Sequence, residues 1–407
     1  MATATETVSD TVIKPDHATR RRHFIFSDEH EDLRESMKAW VQKELTPHRN
    51  EWEETLWPDE ALRRAGELGY LGLCFPEEYG GQGGDYIYSL VRAECLTYSG
   101  SGGLNMGFAV QTDMVLPPIL LLGTEDLKQR YLVPGIKGER IGCLGITEPG
   151  AGSDVAGIRT TARRDGDEYV INGSKTFITN GARADFILLV TKTDPDADGH
   201  DGMTLFLVDL KDEDGNPTPG FSVSRKLEKM GMHSSDTGEL AFEDVRVPAE
   251  NVLGEIGKGF YHISWELQSE RMVAAAGCVA SCERMFEKTL QYAKEREAFG
   301  RPIGRFQAIR HKFAEMATKI EAAKQFNYVT AWRYANGEYP VREISEVKLF
   351  TSRVACEVAD ECLQIHGGYG YMKEYEIERA YRDVRLNRIG AGTDEIMLEV
   401  IGRSYGL

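Results

Sequence analysis

The chain is poor in the residues that build metal and disulfide sites. It has seven cysteines in 407 residues, with no CxxC pair and no metal-ligand spacing. A disulfide scaffold is therefore not expected. Cys278 and Cys282, four apart on a predicted helix, read as small buried hydrophobes. The nine histidines form no HExxH pattern, so no zinc site is legible. Gly150-x-Gly152 fails the GxGxxG spacing, and GxxxxGK[ST] is absent, so a nucleotide must be held some other way. No stretch reads as apolar and long enough to span a membrane, and no apolar h-region marks a secretory signal. Glu6, Asp10 and Asp16 argue against a mitochondrial transit peptide, so a cytoplasmic location is expected. Positive charge is also short. Lys and Arg number 48 against 65 Asp and Glu, a net charge of -17, which disfavours a nucleic-acid partner. An anionic ligand stays open, because local arginines override the global field.

What is present is ordinary for a soluble globular protein: 41% hydrophobic and 28% charged residues. The length exceeds one ordinary core and implies two or three domains. Residues 1–23 read as a mobile tail. Residues 24–137 read as helical, opened by Ser27 as a cap before an apolar face of Leu33, Met37, Trp40, Val41 and Leu45. Thr46-Pro47 ends or bends that helix. Residues 138–251 change to strand signals. Tyr169-Val170-Ile171 runs into Asn172-Gly173, and Thr176-Phe177-Ile178-Thr179 into Asn180-Gly181. Phe186–Val190 and Leu205–Val208 read as buried strands. Residues 252–407 return to long helices. Helices, then strands, then helices is not βαβ alternation, which excludes a doubly wound sheet.

Two glycine-bearing runs stand out. Thr147-Glu148-Pro149-Gly150-Ala151-Gly152-Ser153-Asp154 joins flexible backbone to short hydroxyls, which suits close approach to a flat or charged ligand. Ile389-Gly390-Ala391-Gly392-Thr393-Asp394-Glu395 lies near the C-terminus. Ile263, Leu267, Glu270, Ala274 and Gly277 recur at steps of four and three, one face of a helix. A carboxylate on such a face is costly without a task, and burial there raises its proton affinity toward that of a useful base. The alternative task is an ion pair with Arg271 or another cation. Arg271 is adjacent to Glu270 and cannot share its face, so a structural role is expected for it.

Together with Phe75–Gly81, Gly123-Thr124-Glu125, Lys175–Gly181, Ser235-Asp236-Thr237, Phe242–Val245, Arg296–Gly300 and Gln364–Gly368, these runs resemble the acyl-CoA dehydrogenase family over about Phe24–Leu407. The resemblance implies a mainly α fold with a central β domain: N-terminal helical domain, β-barrel-like middle domain and C-terminal four-helix bundle. It implies FAD as cofactor and an acyl-CoA thioester as substrate, desaturated between its α- and β-carbons. An electron-transfer flavoprotein would be the electron acceptor, and the assembly a homotetramer. By resemblance Leu144, Thr147, Ser153, Phe177 and Thr179 meet the flavin, Phe177 standing where many relatives have tryptophan. Arg296, Phe299 and Gln307 reach the FAD of a neighbouring subunit. Gln364, Gly367 and Gly368 pass its adenosine part, and Thr393 and Glu395 complete the cofactor set. Ser153, Leu267, Gly390 and Arg271 fall at substrate-binding positions. Most relatives carry a glutamate base where this chain has Ala391, which cannot accept a proton. Isovaleryl- and long-chain-type members place it before an arginine on an early C-terminal helix, here Glu270-Arg271. The backbone N–H of Ala391 still resembles the family's donor to the thioester oxygen. Gly390, where many relatives have tyrosine, leaves room for a branched or bulky acyl group. An oxidase-like flavoenzyme using dioxygen and a non-catalytic flavoprotein subunit remain alternatives.

Overall fold

The computed structural model describes residues 22–197 and 200–407, so most of the expected N-terminal tail lies outside the described residues. Helix α1 (Asp28–Trp40) starts at Ser27, whose Oγ accepts from His30 N–H while the His30 ring accepts from Ser27 N–H. This reciprocal cap fixes the entry of the chain. At Thr46-Pro47 the helix does not simply end. It passes through a wider turn (Val41–Leu45) and a tighter one (Thr46–His48) into a further helix, Arg49–Thr55. Helices α2 (Ile87–Thr97) and α3 (Gly102–Ala109) complete the part of this region that borders the site.

The helical run Gly102–Leu122 corrects the expectation drawn from the sequence: by length and composition it is apolar enough to cross a membrane. Its partners in the fold account for the apolarity. Val110, Met114, Val115 and Ile119 pack in one core with Phe186, Leu188 and Val190 of the β domain.

Eight strands form the middle domain: β1 (Gly142–Gly145), β2 (Thr161–Asp165), β3 (Glu168–Thr179), β4 (Phe186–Lys192), β5 (Met203–Asp209), β6 (Phe221–Lys226), β7 (Thr237–Pro248) and β8 (Val252–Leu253). The order β6-β7-β3-β2-β4-β5-β8, with β1 also on β4, makes two halves joined at the single pair Thr161–Lys192. Strand β4 alternates faces as a strand must. Ile187 and Leu189 join the core enclosed by the two halves, whereas Phe186, Leu188 and Val190 face the N-terminal helices. Both faces are covered, which is why β4 reads as an unbroken apolar run.

The C-terminal region is built on α4 (Gly259–Glu295), α5 (Gln307–Ala335) and α6 (Val341–His366), with the shorter α7 (Ile377–Val384) and α8 (Asp394–Ser404). Helix α4 packs on α2 as well as on α5 and α6, so it crosses the whole molecule.

Trp57 ties the first two regions together. It is 1% exposed, stacks beside Phe108, and carries the Arg183 guanidinium 3.5 Å above its ring. Arg183 also donates to the Trp57 carbonyl, and Trp57 N–H donates to the Ser234 carbonyl. Trp57→Ala is expected to cost about 3–5 kcal/mol, the usual scale for truncating a buried aromatic, and to unmatch Arg183. Thermal unfolding would show this as a drop of many degrees. A change within a degree or two would mean that the two regions are held elsewhere.

Candidate active site

Between Leu267 and Ser281 on α4 the half-buried positions are Leu267, Glu270, Ala274, Gly277 and Ser281, among neighbours that are buried. Their steps of three and four mark one face. From Glu270 onward this face lines a cavity between α4 and the α3 segment, with about 810 Å³ of empty space including its mouth. The Glu270 carboxyl stands at one end. Loss of water pushes its pKa up to about 7, nearby Asp113 adds to the rise, and Arg271 and Lys348 pull it back. A carboxyl poised near neutrality is suited to take a weakly acidic proton.

One turn earlier lies Glu266, fully buried, with no hydrogen-bond partner for either carboxyl oxygen among the described residues. Burial first, then the adjacent Glu270 charge, holds its pKa well above the usual carboxylate range. Glu266 is therefore a neutral acid while Glu270 ionises. An ionised carboxylate so placed would cost several kcal/mol.

The Ala391 turn is suspended from two helices. Arg271 Nε donates to the Ala391 carbonyl at 3.1 Å, and Lys348 Nζ donates to the Gly392 carbonyl. Ala391 has φ 57, a left-handed conformation that leaves its N–H without a backbone acceptor among the described residues. The sequence placed Arg271 among substrate-binding positions and also expected a structural role. Its head group is spent on the turn. Thr393 caps α8 through Ile396 N–H, and Glu395 is exposed in the first turn of that helix. Asp394 is buried and paired with Arg353 and Arg388, which leaves it no role as a base.

The Thr147–Asp154 run folds as a tight turn closed by Glu148 and Ala151, which exchange backbone hydrogen bonds. Beneath it Lys175, fully buried, donates to the Ile146 carbonyl at 2.9 Å and to Glu148 Oε1 at 2.8 Å. Glu148 also accepts from the N–H groups of Arg159 and Thr160. Its capacity is filled, so it too is excluded as a base. Thr176 N–H donates to the Thr147 carbonyl, setting this turn against the end of β3.

The β3–β7 register shifts between Lys175 and Ile178, and within that bulge Phe177 takes φ 61. A bulge re-aims a side chain. Here it turns the Phe177 ring outward, 67% exposed, while Lys175 and Ile178 point in. Gly150 and Gly152 have open space where a side chain would stand. Thr147, Thr179 and Leu144 are half-buried, and Ser153 is exposed. An uncovered aromatic beside open glycines and short hydroxyls fits a flat heterocycle with polar edges, which is what an isoalloxazine ring is.

A second group gathers at the far end of α4. Phe299 and Gly300, both with positive φ, form the tip of a two-stranded ribbon, with Phe299 96% exposed. Arg296 lies 5.7 Å from the Tyr369 ring, just beyond Gly367 and Gly368, which are also open. Gln307 and Gln364 are exposed beside them in sequence. An exposed guanidinium near uncrowded glycine backbone fits a pyrophosphate.

Family models for the N-terminal, middle and C-terminal domains of acyl-CoA dehydrogenase match residues 27–139, 143–245 and 257–406. This chain belongs to the acyl-CoA dehydrogenase family. The mouse mitochondrial long-chain specific acyl-CoA dehydrogenase is 42% identical over 382 residues, 93% of this chain and 87% of that protein. The crystal structure of an acyl-CoA dehydrogenase from Geobacillus kaustophilus superposes with a TM-score of 0.90 at 44% identity, covering 94% of this chain and 99% of that one. A structure described as the electron transferring flavoprotein of Acidaminococcus fermentans superposes with a TM-score of 0.89 at 36% identity, covering 94% and 99%.

The structure thus brings Glu270, Arg271 and the Ala391 turn together. It also brings Thr147 beside the bulge that carries Phe177. It sets Arg296 and Phe299 apart at the other end of α4. Gly390 is half-buried with room around it, and Leu267 lies on the Glu270 face. Sequence reasoning missed Glu266, Lys348 and Lys175. Glu266 was reachable, being three residues after Ile263 and four before Glu270 on the same face. Lys175 and Lys348 act through carbonyls distant in sequence, and no local signal marks them.

The two raised carboxyls fix a sign for stability. Each binds its proton more tightly folded than at the ordinary value of 4.5, so the folded state holds more protons and stability falls as pH rises past that value. Glu266→Gln keeps the shape and removes one titration. Its melting temperature is expected to exceed that of the wild type at about pH 9, with the gap closing toward about pH 5. A gap independent of pH would show that Glu266 is partnered and charged in the fold.

Proposed function

We propose that this chain catalyses FAD-dependent α,β-dehydrogenation of acyl-CoA thioesters to 2-enoyl-CoA, with Glu270 as the base. The observation that carries the reading is the desolvated Glu270 carboxyl at the cavity, beside an Ala391 N–H without a backbone acceptor. Thr147, Phe177 and Thr179 would hold the ring of FAD, which supplies the acceptor for the hydride leaving the β-carbon. Glu270 takes the α-proton onto its carboxylate. The Ala391 N–H donates to the thioester oxygen as negative charge gathers there, a contribution of several kcal/mol in a dry site. Arg271 and Lys348 keep that donor aimed by holding the two carbonyls of the turn. The electrons then pass to an electron-transfer flavoprotein, in keeping with the family.

A homotetramer completes the cofactor site in this reading. Glu270 and Glu295 stand 25 residues apart on α4, about 38 Å at 1.5 Å per residue. The cluster at Arg296 is too remote from Glu270 to serve the flavin at the same chain's Glu270. It therefore serves a neighbour's, and its exposed Phe299 is covered there. Arg296→Ala is expected to lower FAD retention and subunit association together, read as flavin content and sedimentation. Full flavin with unchanged assembly would reduce Arg296 to a surface charge.

Glu270→Gln should bind FAD and acyl-CoA and yet lose at least about 10²-fold in anaerobic flavin reduction, the usual scale for a positioned base. In the wild type kcat/KM should rise with pH through about 7, since only ionised Glu270 accepts the proton. Glu270→Ala combined with Ala391→Glu should restore part of the rate, because both positions border one substrate carbon. Near-normal reduction in Glu270→Gln would reject the assignment.

A further inference from the structure

The cavity behind Glu270 is a slot between two antiparallel helical segments. Three contacts set their register. Ser269 Oγ donates to the Asp113 carbonyl at 3.3 Å. A methyl group built on Gly277 would stand 3.3 Å from Asn105 Nδ2. Gly100 lies against the Arg284 guanidinium. The slot is lined from Glu270 to Arg284, 14 residues along α4 and about 21 Å at 1.5 Å per residue.

Its walls change along that length. Near Glu270 they are the apolar Met106, Ala109, Met114, Val273 and Ala274, with Asp113 among them, its carboxylate paired with Arg92. The half-buried α4 positions there carry small side chains, Ala274, Gly277 and Ser281, so the helix leaves the space unfilled. Beyond Gly277 the floor is mixed, with Ser281, Asn387, Asp383 and Arg284 beside the apolar Ala380 and Val384. Asn105 is fixed opposite Gly277 by its bond to Thr97 Oγ1 at 3.2 Å. Gly390 does not line the slot, so the room that it leaves lies elsewhere.

Tetrahedral carbon bonded at about 1.52 Å advances about 1.25 Å per carbon when extended, so about 21 Å accepts on the order of 14–16 carbons. We propose that the thioester substrate of this site is a long unbranched acyl chain of that size, and that Gly277 and Ser281 set its length. The proposal rests on the dehydrogenase reading above. The change of lining adds a corollary: a hydroxyl on the last carbon is accepted, whereas one on the fifth carbon, about 6 Å along the slot, meets Met106, Ala109 and Val273 and is rejected.

The test is a series of butyryl-, octanoyl-, dodecanoyl- and hexadecanoyl-CoA, read both as kcat/KM and as dissociation constants by calorimetry with Glu270→Gln holoenzyme. Affinity is expected to climb by up to about fourfold per methylene until the floor is reached. Gly277→Leu should lose hexadecanoyl-CoA by at least about tenfold and keep butyryl-CoA within about threefold. Ser281→Leu, at a half-buried and more tolerant helix position, should do the same if Gly277→Leu fails to fold. Hexadecanoyl-CoA hydroxylated on its last carbon should bind within about threefold of the parent, and the isomer hydroxylated on its fifth carbon about tenfold or more worse, as one unpaired buried hydroxyl costs. An active enzyme that prefers butyryl-, octanoyl- or isovaleryl-CoA overturns the inference and leaves the dehydrogenase reading intact. So does equal loss of short and long chains in both leucine variants. Failure to reduce flavin with any acyl-CoA overturns the dehydrogenase reading instead, while the calorimetric series still reports on the slot.

Discussion

Desolvation of one carboxyl on α4 is the constraint on which the rest of the site depends. A glutamate in water is too weak a base for a thioester α-proton. Burial raises its affinity, but burial without limit would leave it permanently protonated. Arg271 and Lys348 supply the limit. They sit near enough to favour the charged form while spending their donors on the Ala391 turn. In the proposed reaction the same two cations would both tune the base and aim the donor. Glu266 sharpens the point by contrast. One turn away, with no hydrogen-bonding partner, a chemically identical side chain is held neutral.

The fold serves this by giving α4 neighbours from both other regions. Helix α2 and the segment around Asp113 pack on it, and so do α5 and α6. The β domain holds its own ligand-facing turn independently, through Lys175 and Glu148. These act at short range inside a buried pocket, where an ion pair in which both carboxylate oxygens accept hydrogen bonds fixes geometry more than it adds stability.

Much of this was legible in the chain. The order of helices and strands followed from periodicity, and the α4 face carrying Glu270 followed from steps of three and four. At Thr46-Pro47 the chain takes the second of the two expected courses and continues, whereas the Gly102–Leu122 run was misjudged; both have local reasons. A proline is tolerated in the first turn of a new helical segment, and an apolar helix is explained by a sheet that only the fold reveals. Phe177 was placed at the flavin only by resemblance. The residue type does not say whether it points inward or outward, because a one-residue bulge decides the face. The clamps from Arg271 and Lys348 join residues 120 and 44 positions apart to backbone oxygens, and backbone acceptors leave no mark on sequence.

Phe177, Phe299 and Ala391 share one further property: each is a non-glycine residue held at positive φ. A left-handed residue with a β-carbon costs about 1–2 kcal/mol, so the three positions assigned to ligand contact are also three points of stored backbone strain. Glycine at any of them would relax the chain and stabilise it. It would also free the peptide plane that the strain now holds at one angle. The protein keeps an alanine where the most comfortable residue would let its N–H swing, and gives up some stability to keep the donor pointing at one place.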